Sequence, residues 1–376
     1  MEARSLRTLV LLFLAMGVLA LVCGALTFIL AGDQIAEITR SLTRDYRLSQ
    51  REDELNAAIG TDSTPIRFDV VDGVGIQGIA TSLAQQGFIN DRELFIDYAL
   101  SEGLSSRLLS GVFFLNRTMS IVDLADALTS NDYRSIPYTL APGQRIEEIA
   151  EIMDNVPRLG FTGDAFMAVV GRGAQVSPTF AEYVGLPPGA SLEGFLLPRT
   201  YQLAPDFTPV MVRDVMLDAF VEATSGEIAN QAAEAGYSLF EVVTLASIVQ
   251  REALFDSERP LIAGVYLNRL ERADPDTDEA PPLNLDADPT VQYPLGSSGD
   301  WWPQITVADY QGVDSEYNTY RREGLPPGPI ANPSLASIQA VIAPEDTDFF
   351  YFRADCRDDG LHDFALNYQE HLANGC

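Results

Sequence analysis

Apolar residues recur along this chain with the spacing of helices that bury one face. In LASIVQREA, Leu245, Ile248 and Val249 share one helical face, and Glu252 continues the stripe where another apolar residue would fit. Just upstream, SLFE places Ser238 and Glu241 as a capping box, which starts the helix immediately before Leu239 and puts Glu252 near its C-terminal end. Earlier, IRFDVVDGVGIQGIATSLAQQGFI reads as a strand, a glycine-containing turn and a helix with Ile76, Ile79, Ala80 and Leu83 inward. GVFFLNRTMSIVDLADALTS repeats the plan, with a strand around Val112 to Leu115 and a helix capped by Ser120 that buries Ile121, Leu124, Ala125 and Leu128. IPYTLAPGQRIEEIAEIM repeats it a third time at an unequal interval, which predicts small α+β modules and not a solenoid. LEGFLLPRTYQLAPD is an extended, turn-rich segment that closes this region.

Thr8 to Gly32 contains no charged residue and exceeds the roughly 20 residues a helix needs to cross a bilayer. A cleaved signal peptide has a shorter apolar core and a small-x-small site, which is absent after this one. LVCG around Cys23 loosely suggests a lipoprotein signal, but Val22 stands where a small residue belongs. Arg4 and Arg7 before the span favour a cytoplasmic N-terminus, which leaves the remainder outside the cytoplasm on a single pass through the cell membrane. The predicted organisation is a cytoplasmic end over 1–7, a transmembrane helix over 8–32, a polar juxtamembrane stalk over 33–64, an α+β region over 65–236 and a mixed α+β domain over 237–376.

The chain of 376 residues carries a formal net charge of -30, which repels phosphate backbones and argues against nucleic acid as a partner. Of the three cysteines, Cys23 lies inside the span; Cys356 and Cys376 are the external pair, and a disulfide or two free thiols both fit. With only His362 and His371 and no CxxC spacing, no metal or cofactor is predicted. ADPDTDEAPPLNLD fails as a calcium loop, because Glu279 stands where glycine is needed and Leu285 where the bidentate Glu belongs.

A helix C-terminus and partial burial both favour the protonated form of Glu252, which suits a general acid acting on a glycosidic bond near neutral pH. The plain alternative is a solvated Glu252 among Arg251, Glu258 and Arg259 at a fraying helix end. Further residues bear on the choice. Tyr317, Asn318, Thr319 and Tyr320 combine aromatic faces that stack on sugar rings with an amide for acetamido groups; the bland reading is a turn with two core tyrosines. Asp288 and Thr290 in ADPTV suit a sugar hydroxyl or a helix cap. GLPPGPIANP is a proline-fixed loop that could hold a binding wall, and Trp301 and Trp302 are either outer sugar platforms or core.

The strand-helix units over 65–236 resemble LysM-like modules, which bind N-acetylated sugar chains. More specifically, ERPLIAGVYLNRL, DADPTVQY, EYNTYRREGLPPGPIANPSLASI and GLHDF, in this order, resemble the catalytic domain of the endolytic murein transglycosylase (YceG-like) family. With the membrane span and LEGFLLPRTY, the resemblance covers the chain from about Leu9 onward. The second Glu of that family's LASIVEKE-type motif matches Glu252, and the first is Gln250 here. A family position usually occupied by Gln is Asp286, and the loop from Glu271 to Pro282 is longer than usual.

The resemblance implies an α+β protein with a transmembrane helix and a lyase activity on peptidoglycan. Glu252 would serve as the sole acid and base in cleaving the β-1,4 bond between N-acetylmuramic acid and N-acetylglucosamine of nascent strands, forming 1,6-anhydro ends. Asp288, Thr290, Tyr317, Asn318, Thr319 and Tyr320 would contact the substrate, and membrane-bound peptidoglycan synthases would be partners. Two rivals remain open: a muramidase pairing Glu252 with Asp288 or Asp286, and a non-catalytic membrane-anchored scaffold that binds glycan.

Overall fold

The computed structural model describes Met16, Gly17 and residues 35–375 apart from Asp278 and Asp358. The expected membrane span therefore lies outside the described residues except for Met16 and Gly17, which are helical. Within the predicted stalk, residues 35–49 are helical. By packing, the described residues fall into two compact units, divided between Ser135 and Ile136.

In the first unit, β1 (Ile66–Val70) is followed by α1 (Ile76–Gln85) and α2 (Arg92–Ser101), then β2 (Gly111–Leu115) and α3 (Ile121–Ala127). β1 and β2 pair antiparallel with Ile66 opposite Leu115 and Val70 opposite Gly111. The predicted faces are the buried ones: Ile79, Ala80 and Leu83 on α1 and Leu124 and Ala125 on α3 join Phe68, Phe113 and Leu115 in one core. Ser120 caps α3 as a capping box with Asp123, whose carboxylate takes the place usually held by Glu.

The third strand-helix segment belongs to the second unit. There β3 (Ile136–Thr139) leads to α4 (Ile146–Met153) and pairs not with β1 or β2 but with β4 (Thr200–Leu203), Ile136 opposite Leu203. Three similar local patterns thus end in two separate sheets, because pairing is chosen by which strand edge packing brings close. The division between units falls at Ser135/Ile136, and residues 136–236 pack with those after Tyr237. After α5 (Pro209–Thr224) come α6 (Leu239–Glu252), α7 (Arg259–Glu271), α8 (Asp288–Leu295) and α9 (Leu335–Ile342), of which α6, α7 and α9 pack on one another. The hairpin β5 (Tyr351–Ala354) and β6 (His362–Ala365) lies against α7.

α6 begins as predicted, with Ser238 Oγ accepting the Glu241 amide at 3.2 Å and Glu241 returning the bond to the Ser238 amide at 2.8 Å. Leu245, Ile248 and Val249 are buried, each contributing about 1.5–3 kcal/mol relative to exposure. Cys356 is disulfide-bonded, and its partner lies outside the described residues. Among the described residues, no single helix is long and apolar enough to cross a membrane.

Candidate active site

Glu252 is the last residue of α6, so the helix that buries Leu245 to Val249 delivers its carboxyl to the edge of the core. It is half-buried and lines a cleft of about 670 Å³. Tyr266, buried on α7, donates its hydroxyl proton to Glu252 Oε1 at 2.9 Å. Burial pushes the Glu252 carboxyl up to about 7; the Tyr266 hydrogen bond and the Arg251 charge oppose this, and the nearby Asp288 charge adds to it. Two of the residues expected beside Glu252 are engaged elsewhere. Glu258 pairs with His362 at 3.0 Å, and Arg259 pairs with Asp256 and donates to Gln250 Oε1 at 2.8 Å.

Gln250, two residues back and therefore on another face of α6, does not line the cleft. Its Oε1 also accepts from the Ser334 amide and the Ser337 hydroxyl, both at 2.9 Å, which ties α6 to the start of α9. It is a structural anchor, and Glu252 keeps the cleft to itself on this helix.

Facing Glu252 are the DPT and YNTY segments. Asp288 sits in the first turn of α8, and its Oδ1 accepts from the Tyr320 hydroxyl at 2.7 Å. Tyr320 stacks on Tyr310 with ring centroids 4.1 Å apart and planes at 10°. Asp288, Tyr310 and Tyr320 all line the cleft. Asp286 lines it too, with backbone φ of 52° and an ion pair to Arg269. Burial raises its carboxyl in spite of that arginine.

The other expected contact residues lie elsewhere. Thr290 and Thr319 are fully buried, with hydroxyls 2.8 Å apart. Thr319 Oγ accepts from the Ala287 amide and Thr290 Oγ from the Thr319 amide, so the pair staples the DPT loop to the YNTY loop. Asn318 is also fully buried; its amide donates to the Tyr310 and Val313 carbonyls and its oxygen accepts from the Tyr320 amide. None of these three lines the cleft, because internal partners consume their polar atoms. Tyr317 lines a separate cavity of about 200 Å³ with Phe240 and the Pro327–Pro329 loop. Trp301 and Trp302 are half-buried and bond Glu151 and Glu148, with Arg251 3.9 Å over the Trp302 ring.

Sequence reasoning passed over Tyr266, Arg269, Tyr310, Arg353 and His362 as cleft residues. A signal existed for two of them: Tyr266 and Arg269 stand three apart on α7, on one helical face. Because Tyr266 stabilises the ionised form of Glu252, Tyr266→Phe should move the alkaline limb of any Glu252-dependent activity to higher pH. The pH profile of kcat/KM is the measurement, and an unmoved limb would deny Tyr266 this role.

Residues 68–375 match the sequence profile described as the YceG-like family. An endolytic murein transglycosylase of Streptococcus pneumoniae serotype 2 (strain D39 / NCTC 7466) is 29% identical over 327 residues, covering 81% of this chain and 57% of that protein. The chain thus spans little more than half the length of the pneumococcal relative. One from Bacillus subtilis (strain 168) is 26% identical over 322 residues, covering 82% of this chain and 83% of the relative. A crystal structure of a YceG-like protein from Listeria monocytogenes superposes with a TM-score of 0.51 at 25% identity, over 83% of this chain and 99% of the other.

Proposed function

Since the chain belongs to the YceG-like family, we propose that it is an endolytic lytic transglycosylase that cleaves the MurNAc-GlcNAc β-1,4 bond of peptidoglycan with Glu252 as its only acid and base. The observation that carries this reading is a half-buried carboxyl, held near pKa 7, in a cleft beside the stacked Tyr310 and Tyr320 rings. The relatives named endolytic murein transglycosylases give the substrate class.

In the proposed reaction, protonated Glu252 gives its proton to the glycosidic oxygen as the bond to the muramyl C1 breaks, freeing the 4-hydroxyl of N-acetylglucosamine. The resulting carboxylate takes the proton of the muramyl C6 hydroxyl, whose oxygen bonds C1 and closes the 1,6-anhydro ring. Glu252 ends protonated, ready for the next cut. A single acid suffices because the nucleophile is already part of the substrate, at high effective concentration. Asp288, anchored by Tyr320, lies close enough to raise Glu252 and to favour positive charge developing at C1. Thr290, Thr319 and Asn318 would act by holding the loops that carry Asp288 and Tyr320, and Tyr317 would act outside the cleft.

One observation favours a second reading. Asp286 and Asp288 line the same cleft as Glu252, and two carboxylates are what a hydrolysing muramidase requires. Product mass separates the two. Digestion of purified glycan strands should yield anhydro ends, one water lighter than reducing ends; reducing ends alone would sink the transglycosylase reading in favour of the hydrolase.

We further propose that residues 8–32 span the cell membrane and leave the later residues outside the cytoplasm. Within the region over 65–236 read as LysM-like and connecting, residues 66–115 would serve as a glycan-binding module, a reading supported by their strand-helix-helix-strand order and antiparallel β1/β2 pair. A tethered cutter reaches only strands near the membrane, which places it with nascent glycan and beside membrane-bound synthases.

A further inference from the structure

The cleft is acidic where the reaction is proposed to occur, with Glu252, Asp286 and Asp288 along it. Two arginines share its lining, and their circumstances differ. Arg269 is committed: it pairs with Asp286 and donates to the Asn284 carbonyl at 2.6 Å and the Phe350 carbonyl at 3.2 Å.

The Arg353 side chain on β5 makes no hydrogen bond or ion pair with any described residue, and its Nε is buried without an acceptor. Its cross-strand neighbour Asp363 does not neutralise it; that carboxylate lies 3.9 Å from Arg357 instead. Near Arg353, His371 also lines the cleft, with Nδ1 buried and without a partner. The two groups interact, since the Arg353 charge helps burial hold the His371 imidazole below its ordinary pKa and so in its neutral form. Unsatisfied buried nitrogens of this kind are uncommon in folded proteins; they leave the cleft-lining guanidinium uncommitted to any protein acceptor, and the neutral imidazole can donate from Nδ1 in one of its two tautomers. The acceptor that best matches a guanidinium is a carboxylate, which takes charge-assisted bonds.

Murein supplies such a group. The muramyl residue carries a lactyl ether that ends either in a free carboxylate or in a peptide with carboxylates of its own. We propose that Arg353, assisted by His371, binds a carboxylate on the lactyl side arm of the muramyl residue. This makes it a specificity determinant of the cleft, an inference that rests on the murein substrate proposed above. Without Arg353, the remaining cleft arginine, Arg269, is already spent on Asp286, and the Asp288 carboxylate would repel an anionic side arm.

The test uses the full chain in detergent with three strand preparations: peptide-bearing strands, the same strands with peptide carboxylates amidated, and strands stripped of peptide to expose the lactyl carboxylate. The wild type should cleave at least one carboxylate-bearing preparation roughly tenfold or more faster, in kcat/KM, than the amidated one. In Arg353→Gln that preference should collapse toward unity, mainly through KM, while Arg353→Lys keeps part of it. Preference for peptide-bearing strands assigns the peptide carboxylate, and preference for stripped strands assigns the lactyl one. An equal loss on all three preparations, or a preference that survives in Arg353→Gln with an unchanged melting temperature, overturns the proposal. Either result leaves the cleavage reading intact, because in this experiment that reading fails when the wild type cuts none of the three.

Discussion

Glu252→Gln is expected to lower the rate of glycan cleavage by roughly 10³ to 10⁴-fold, because one side chain is asked both to give and to take the transferred proton. Gln keeps the shape and can still accept the Tyr266 hydroxyl bond, so the loss would report chemistry and not collapse of the cleft. The pH profile of the wild type is a second readout. In the proposed reaction cleavage begins with the protonated acid, so kcat/KM should be level below neutrality and fall about tenfold per pH unit above about 7, the value to which burial pushes this carboxyl. Cleavage by Glu252→Gln at the wild-type rate would remove Glu252 from the reaction and with it both enzyme readings.

The same shift predicts a stability change of opposite sign to the activity change. The folded protein holds Glu252 near 7, above the ordinary value of 4.5, and so favours the protonated form. Stability from this site is therefore complete below about pH 4.5 and is lost as pH rises through about 7, where a carboxylate must sit poorly hydrated. Glu252→Gln avoids that cost. Its melting temperature should exceed that of the wild type at pH 8, and the gap should close on acidification. A gap independent of pH would point to packing instead of ionisation.

The largest stability effect is expected at Asn332→Ala. Asn332 is fully buried in IANPS and uses its whole side chain. Its oxygen accepts from the Gly194 and Leu196 amides at 3.0 Å each, and its amide donates to the Gln144 carbonyl and to Glu193 Oε1, also at 3.0 Å. Glu193 is itself buried, raised well above the usual carboxylate range by desolvation, and its other oxygen accepts the Ile146 amide at the start of α4. One asparagine thus joins the LEGF segment, the start of α4 and the proline loop. Gly194 adds to the constraint: its φ is 90°, and a Cβ there would lie 2.6 Å from Pro329 Cβ and 2.7 Å from Val243 Cγ1.

Alanine would leave two buried amides without an acceptor and Glu193 Oε1 without a donor, at about 1–3 kcal/mol for each orphaned group. Three such groups sum to about 3–9 kcal/mol; with the loop relaxing around the lost side chain, the lower part of that range, about 3–5 kcal/mol, should lower the melting temperature by roughly 6–20 °C for a unit of this size. Thermal unfolding followed by circular dichroism measures it. A shift under about 2 °C would mean that the network contributes little and that the proline loop is held by packing alone.

What was legible in the sequence was local. The Ser238 and Glu241 capping box and the Leu245, Ile248, Val249 stripe set the start, the face and nearly the end of α6, because caps and helical periodicity depend on residues within a turn or two of each other. The inward faces of α1 and α3 followed for the same reason. That an acid should stand at the end of the α6 stripe was likewise plain from the order of residues.

The surroundings of that acid were a matter of tertiary structure. Tyr266, Asp288 and Tyr320 meet Glu252 from separate segments, and nothing in their own neighbourhoods distinguishes a cleft tyrosine from a core one. Thr290, Asn318 and Thr319 have the right chemistry for a sugar, yet packing turns them inward, where they satisfy the backbone of two loops. The pairing of β3 with β4 was decided in the same way. Burial, charge proximity and strand partnership all depend on which distant parts of the chain pack together, whereas periodicity and capping are complete within a dozen residues.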